Sequence, residues 1–294
     1  MKSVICFGEV LWDLLPSENI PGGAPMNVAV HLNHLGIASQ VISCVGNDEL
    51  GAQLLSFLNQ KGVNTSLIQI HSKKPTSVVK VILQANNDVT YQIVEDIAWD
   101  YISHNKATKK AVKEADILVF GSLATRNDKS RNTLLKLLPH ARLRVFDANL
   151  RPPFYTRNRL ESLLAQTDIL KINHEELQII GGWYTTNPNE DELIKAIRSK
   201  YALKMICLTK GSNGAILYSE DKIIVAKGYS VILKDTVGSG DAFLAGFLTK
   251  IMAGRSLSTA LQFACATGSL VATYSGAVPT ISQQKVMKLI NVQA

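Results

Sequence analysis

The chain is poor in cysteine, in aromatic side chains and in long apolar runs. Its four cysteines (Cys6, Cys44, Cys207 and Cys265) lie far apart, with no C-x-x-C spacing among them. That argues against a disulfide framework and for buried free thiols in a reducing compartment. Aromatic residues make up 6% of the 294, too few for an evident base-stacking platform. No window approaches the ~18 apolar residues of a membrane span. The opening "MKSVICFGEV" passes from one lysine into a strand pattern without the apolar core of a secretory signal, so the expected location is the cytoplasm and no membrane partner is expected.

Several familiar site patterns are missing too. G-x-x-x-x-G-K-[ST] is absent, and the pair Gly238 and Gly240 is followed by Phe243 where the dinucleotide fingerprint needs its third glycine. In "NHEEL" Gln178 stands where a zinc protease needs its second histidine. The six histidines are dispersed and suggest no catalytic triad. The net charge of +7 comes from scattered Lys and Arg; the one dense cluster, "KATKKAVK" (106–113), has helical spacing and reads as a solvated face. No nucleic-acid partner is expected, whereas a modest positive field suits an anionic substrate.

What is present is a steady alternation. Short apolar runs recur at 4–10, 40–48, 117–122, 143–149, 168–173 and 204–211. They are continuous rather than alternating, as in strands of a parallel sheet buried on both faces. Helical patterns lie between them: "PMNVAVHLNHLG", with Pro25 near its start, Gly36 past its end and Val28, Leu32 and Leu35 toward the core, then 49–62, 130–140, 189–201 and the last third of the chain. The fold expected is α/β with a mostly parallel sheet. Two stretches break the rhythm. Residues 76–96 read as a hairpin around Asn86-Asn87-Asp88, either an edge extension of the sheet or a flap over a site, and 11–23, which fits no helix, is a candidate to join that flap.

Ligands of open parallel sheets bind beyond the carboxyl ends of the strands. The residues falling there include Gly8-Glu9, Gly46-Asn47-Asp48, Gly121-Ser122, Asp147, Asn149, Arg151, Asn173 to Glu176 and Thr209 to Gly214. The most specific stretch is "DTVGSGDAFLAGF" (235–247). Gly238 and Gly240 let backbone N–H groups converge at a helix start, a natural anion site. Asp241 could cap that helix, but capping explains neither Asp235 nor both glycines; with Ser239 completing the nest, Asp241 is placed as a base for an incoming hydroxyl in phosphoryl transfer. In "LWDLLPSENIPGGAPMN", Gly22 and Gly23 permit close backbone approach, while Asp13 and Asn27 offer the acceptor and donor that a polyhydroxylated ligand needs; an ordinary turn and cap is the other reading. Asn173 and Glu176 share one face of a helical turn and would suit Mg²⁺ held largely through water. "LTKGSNGA" (208–215) fits a nucleotide-side turn or a hairpin. His31, one turn after Asn27, could border the ligand, but is expected at the surface or in support of the residues that do.

In this order the motifs resemble the PfkB (ribokinase-like) sugar kinases over essentially the whole chain. "GGAPMNVAVHLNHLG" (22–36) resembles the first family signature and "DTVGSGDAFLAGF" the second, with Ser239 where Ala is commoner; "NHEE" and "LTKGSNGA" resemble its minor motifs. The resemblance implies a Rossmann-like α/β body over 1–11, 24–75 and 99–294, with a small β-sheet lid over about 12–23 and 76–98. It implies Asp241 as catalytic base and the Gly238, Ser239, Gly240 and Asp241 backbone as anion hole. Asp13, Gly22, Gly23, Asn27, Asn149 and Arg151 would hold the sugar, and Thr209, Gly211 and Gly214 would lie along ATP. Asn173 and Glu176 would place Mg²⁺; Asp235, Val237 and Gly276 are offered as contacts for K⁺. A homodimer through the lid is also implied. Within the family, "GEVLWDLLP" and "FDANLRPP" look most like fructokinases. Arg151 keeps 2-keto-3-deoxygluconate kinase in view, followed by ribokinase and nucleoside kinases. A non-catalytic sugar- or nucleotide-sensing protein is the alternative of a different class.

Overall fold

Successive side chains of a strand point to opposite faces, so a run that is apolar at every position needs a core on each side. A computed structural model of the chain describes residues 2–14, 19–83 and 89–293, and it has two such cores. Val4 and Cys6 pack into one, Ile5 and Phe7 into the other.

The strands are β1 (Ser3–Phe7), β2 (Leu11–Leu14), β3 (Asn19–Gly22), β4 (Ala38–Gly46), β5 (Ile68–His71), β6 (Ser77–Leu83), β7 (Val89–Ile93), β8 (Ile117–Gly121), β9 (Arg144–Asp147), β10 (Ile169–Asn173), β11 (Met205–Thr209), β12 (Ala215–Ser219) and β13 (Ile223–Ala226). The helices are α1 (Ala24–His34), α2 (Glu49–Gln60), α3 (Lys106–Glu114), α4 (Asp128–Leu137), α5 (Arg157–Leu164), α6 (His174–Gly181), α7 (Glu190–Lys200), α8 (Ser239–Met252), α9 (Leu257–Val271) and α10 (Gln283–Val292).

Among the described residues nine strands form one sheet, in the order β13-β12-β11-β10-β9-β8-β1-β4-β5. It is parallel from β5 through to β11, with β12 and β13 antiparallel at one end. From β1 the chain builds outward through β4 on one side and later through β8 on the other, so the strand order reverses beside β1. A crevice opens at such a switch point, beyond the carboxyl ends of the strands. The remaining strands form a second sheet, β3-β2-β6-β7. Two antiparallel hairpins, β2–β3 and β6–β7, are joined in it by parallel pairing of β2 with β6. The two irregular stretches of the sequence therefore share one small sheet. The expected turn at Asn86-Asn87-Asp88 falls outside the described residues.

One expectation about α1 needs correction. Val28, Leu32 and Leu35 are buried as expected, but so is every residue from Pro25 to Leu32, His31 included. The helix is enclosed because α8 packs on it in addition to the strands β1, β4 and β8.

Candidate active site

The site is built around the first turn of α8. Gly238, its N-cap, has φ +76, a left-handed conformation that glycine adopts without strain. A Cβ there would overlap the Ala277 carbonyl. The turn leaves the first amides of α8 without intrahelical acceptors. Ser239 N–H reaches back to the Thr236 carbonyl at 3.2 Å, whereas the N–H groups of Gly240 and Asp241 have no acceptor among the described residues. Two adjacent amides at the positive end of a 14-residue helix make an anion cradle.

Asp241 does not cap this helix. Its Oδ2 accepts a hydrogen bond from Asn27 Nδ2 at 2.8 Å, across from α1. Burial first, then the nearby Asp147 charge, pushes its carboxyl up to about 6; Lys171, the Asn27 hydrogen bond and Arg151 pull the other way. Lys171 Nζ donates to both oxygens of Asp147, at 2.8 and 2.9 Å. These two residues are direct cross-strand neighbours on β9 and β10. Glu9, just past β1, is also buried, and its Oε2 has no hydrogen-bond partner among the described residues. Burial, with Asp241 adding to it, raises that carboxyl to about 7, against hydrogen bonds from the Glu9 and Ala24 amides and the Arg151 charge.

The first motif runs through β2 and β3 into α1, the helix that carries Asn27. Asp13, on β2, is half-buried, and loss of water raises its carboxyl. A Cβ on Gly22 would lie 2.7 Å from Asp13 Oδ2, so the bare glycine leaves room for that carboxylate. Gly23, with φ +119, is the N-cap of α1, and a side chain there would run into the Glu9 carbonyl. Asn149 takes φ +37 and Arg151 is exposed, its Nη1 donating to the Leu150 carbonyl at 3.2 Å.

The remaining candidates occupy neighbouring strand ends. Asn173 and Glu176 close a reciprocal capping box on α6: Asn173 Oδ1 accepts from Glu176 N–H, and Glu176 Oε2 from Asn173 N–H, each at 2.9 Å. Glu176 Oε1 also accepts from Leu150 N–H at 2.8 Å. Both carboxylate oxygens are thus already engaged, a donor set that fits Mg²⁺ only through water. Among the described residues no group of three or more His, Cys, Asp or Glu could hold a metal. Thr209 is the cross-strand partner of Asn173. Gly211 (φ +57) and Gly214 (φ +91) shape the hairpin from β11 into β12. Asp235 Oδ1 accepts from Val237 N–H and Oδ2 from Gly276 N–H, both at 3.0 Å, drawing these three residues into one loop junction. The described helices include none long and apolar enough to cross a membrane.

Two features escape the sequence. Lys171 lies in "DILKIN", where a lone lysine inside an apolar run was the signal of a buried, paired charge. Arg126 is buried between Trp99 and Phe154, its guanidinium 4.0 and 4.9 Å from their rings, and it pairs through Nε and Nη2 with Asp100. It lies in an irregular segment with no periodic pattern to read. His31 is not at the surface: burial drives its ring down to about 4, and neutral Nε2–H donates to the Ala277 carbonyl at 2.9 Å.

Comparison with known proteins gives one consistent picture. The model of the pfkB family carbohydrate kinases matches residues 2–284. A probable fructokinase of Arabidopsis thaliana is 28% identical, covering 95% of this chain and 89% of the relative. Among solved structures, a fructokinase from Xylella fastidiosa with bound ATP superimposes with TM-score 0.87 at 23% identity, over 99% of this chain and 98% of that one. A fructokinase from Vibrio cholerae, solved with fructose, ADP and calcium, gives TM-score 0.84 at 23% identity over 98% and 99%. The buried aspartate facing a helix-end anion cradle thus belongs to a ribokinase-like fold, and the chain is a member of the pfkB family of carbohydrate kinases, phosphotransferases acting on a sugar hydroxyl.

Proposed function

We propose that the protein phosphorylates D-fructose to fructose 6-phosphate with ATP. The observation that carries the chemistry is Asp241, held by Asn27 beside the free amides of Gly240 and itself. The primary hydroxyl of the sugar gives its proton to the Asp241 carboxylate as its oxygen forms a bond to the γ-phosphorus. The bond from that phosphorus to the ADP oxygen breaks, and the negative charge of the transferring group is met by the α8 amides. Asp13 and Asn27 orient the sugar, and the small sheet closes over it to exclude water. Thr209, Gly211 and Gly214 line the nucleotide side. Mg²⁺ bound with the nucleotide would screen its phosphates, held through water at Asn173 and Glu176; the Asp235, Val237 and Gly276 junction would take K⁺.

Fructose is favoured because similar curated proteins from Arabidopsis thaliana and Oryza sativa are named fructokinases. Arg151 supports the second reading, a keto-deoxy sugar acid whose carboxylate would pair with the guanidinium. A coupled assay of ADP release over fructose, ribose, 2-keto-3-deoxygluconate and adenosine, with Mg²⁺ and with or without K⁺, tests both. Fructose should give the highest kcat/KM. A higher value for the sugar acid moves the assignment to the second reading, and no ADP release with any acceptor leaves a binding protein.

A further inference from the structure

The Asp241 pocket carries more negative charge than an anion-binding site should tolerate. Asp147, Asp241 and Glu176 all act on Lys171, from β9, α8 and α6, and Asp241 acts in turn on Glu9 at the end of β1. Arg151 also acts on Asp241, but its side chain is exposed at the rim. Among the described residues Lys171 is therefore the one buried cation of this cluster. Its place is set by geometry: Nζ is fixed on both oxygens of Asp147, and a Cβ on Gly240 would lie only 3.1 Å from it. The ammonium thus abuts the turn whose amides face the transferring group, and glycine at 240 leaves it room.

We propose that Lys171 is a positioning residue of the anion cradle. It places a permanent positive charge against Gly240, where it offsets the surrounding carboxylates and lets the pocket accept the anionic phosphoryl group. The inference rests on the sugar-kinase reading and deepens it. An ion pair kept only for folding would need neither closeness to Gly240 nor a net charge, so the two roles separate when both charges are removed together.

The test uses Lys171→Met and the charge-balanced double variant Asp147→Asn/Lys171→Met, beside the unmodified protein. Two quantities are measured: turnover with the best sugar, and ADP affinity with Mg²⁺ and sugar, with and without aluminium fluoride as mimic of the transferring group. In both variants turnover should fall by about 100-fold, the usual loss for one electrostatic contact in such a cradle. ADP alone should bind within about threefold of normal, while the gain in affinity from aluminium fluoride should shrink by about 30-fold or more. If Lys171→Met does not fold, the double variant decides alone by the same criteria. Turnover within about threefold of normal in either variant overturns the proposal, as does an unchanged response to aluminium fluoride. Should the unmodified protein neither turn over nor respond to aluminium fluoride, the kinase reading falls, and this proposal with it.

Discussion

The Asp241 carboxyl is buried near Asp147, and both facts raise its proton affinity, to about 6. As a general base it must be ionised, so kcat/KM should rise with pH through about 6 and level off above it; a pH–rate profile of the free enzyme checks this. Asp241→Asn should lower kcat by about two orders of magnitude or more, with sugar KM within about threefold. The same residue makes a prediction for stability. Its folded pKa lies above the ordinary 3.8, so its contribution is full below about pH 4 and is lost as pH rises through about 6. The Asn variant has no such loss. Its Tm relative to the unmodified protein should therefore climb between about pH 4 and 6 and stay higher above that range, which paired melting series will show; a Tm difference independent of pH would sink the argument.

At the scale of elements, α1 fastens the mouth of α8 at two points one turn apart. Asn27 holds Asp241, and His31 holds the Ala277 carbonyl against which Gly238 turns. His31→Phe would leave that carbonyl without its donor, which should cost about 1–3 kcal/mol in urea unfolding. Because the carbonyl helps shape the anion cradle, kcat should drop about tenfold as well, against an unchanged value if the bond only stabilises the fold. This fastening was not legible in the chain. Strand ends and glycine turns show in sequence because local chemistry sets them, which is why Gly238, Gly240 and the run ending at Asn173 could be read directly. The use of His31 depends on a loop almost 250 positions away, and that of Lys171 on β9 lying beside β10. Likewise, three-residue spacing brings Asn173 and Glu176 together, but only the folded chain shows that their oxygens close a cap on α6 and reach Leu150.

For the whole molecule, movement of the small sheet against the large one is the expected accompaniment of turnover. Asp48 ties the two together: it accepts from Gly51 N–H inside α2 and from both Thr76 N–H and Thr76 Oγ at the entrance to β6. Trp12, on β2, donates its indole N–H to the Leu50 carbonyl at 3.0 Å. Sugar binding should change its fluorescence, and Trp12→Phe should abolish the change; a signal that survives would place the movement elsewhere. An edge strand such as β7 can pair with a second copy, so we propose that the protein dimerises through this sheet, and the mass in solution at micromolar concentration checks it. The four cysteines bear on the whole molecule differently. All are buried and unpaired, and burial raises every one of their thiol pKa values. They are thereby silent toward alkylating reagents until the chain opens, which makes them a built-in clock of opening. Labelling should be slow in the native protein and complete at four sites in denaturant. Where closing outpaces labelling, a ligand that binds only the folded form should lengthen the interval by the factor one plus its concentration over Kd, so the thiols can rank sugars by affinity without any turnover.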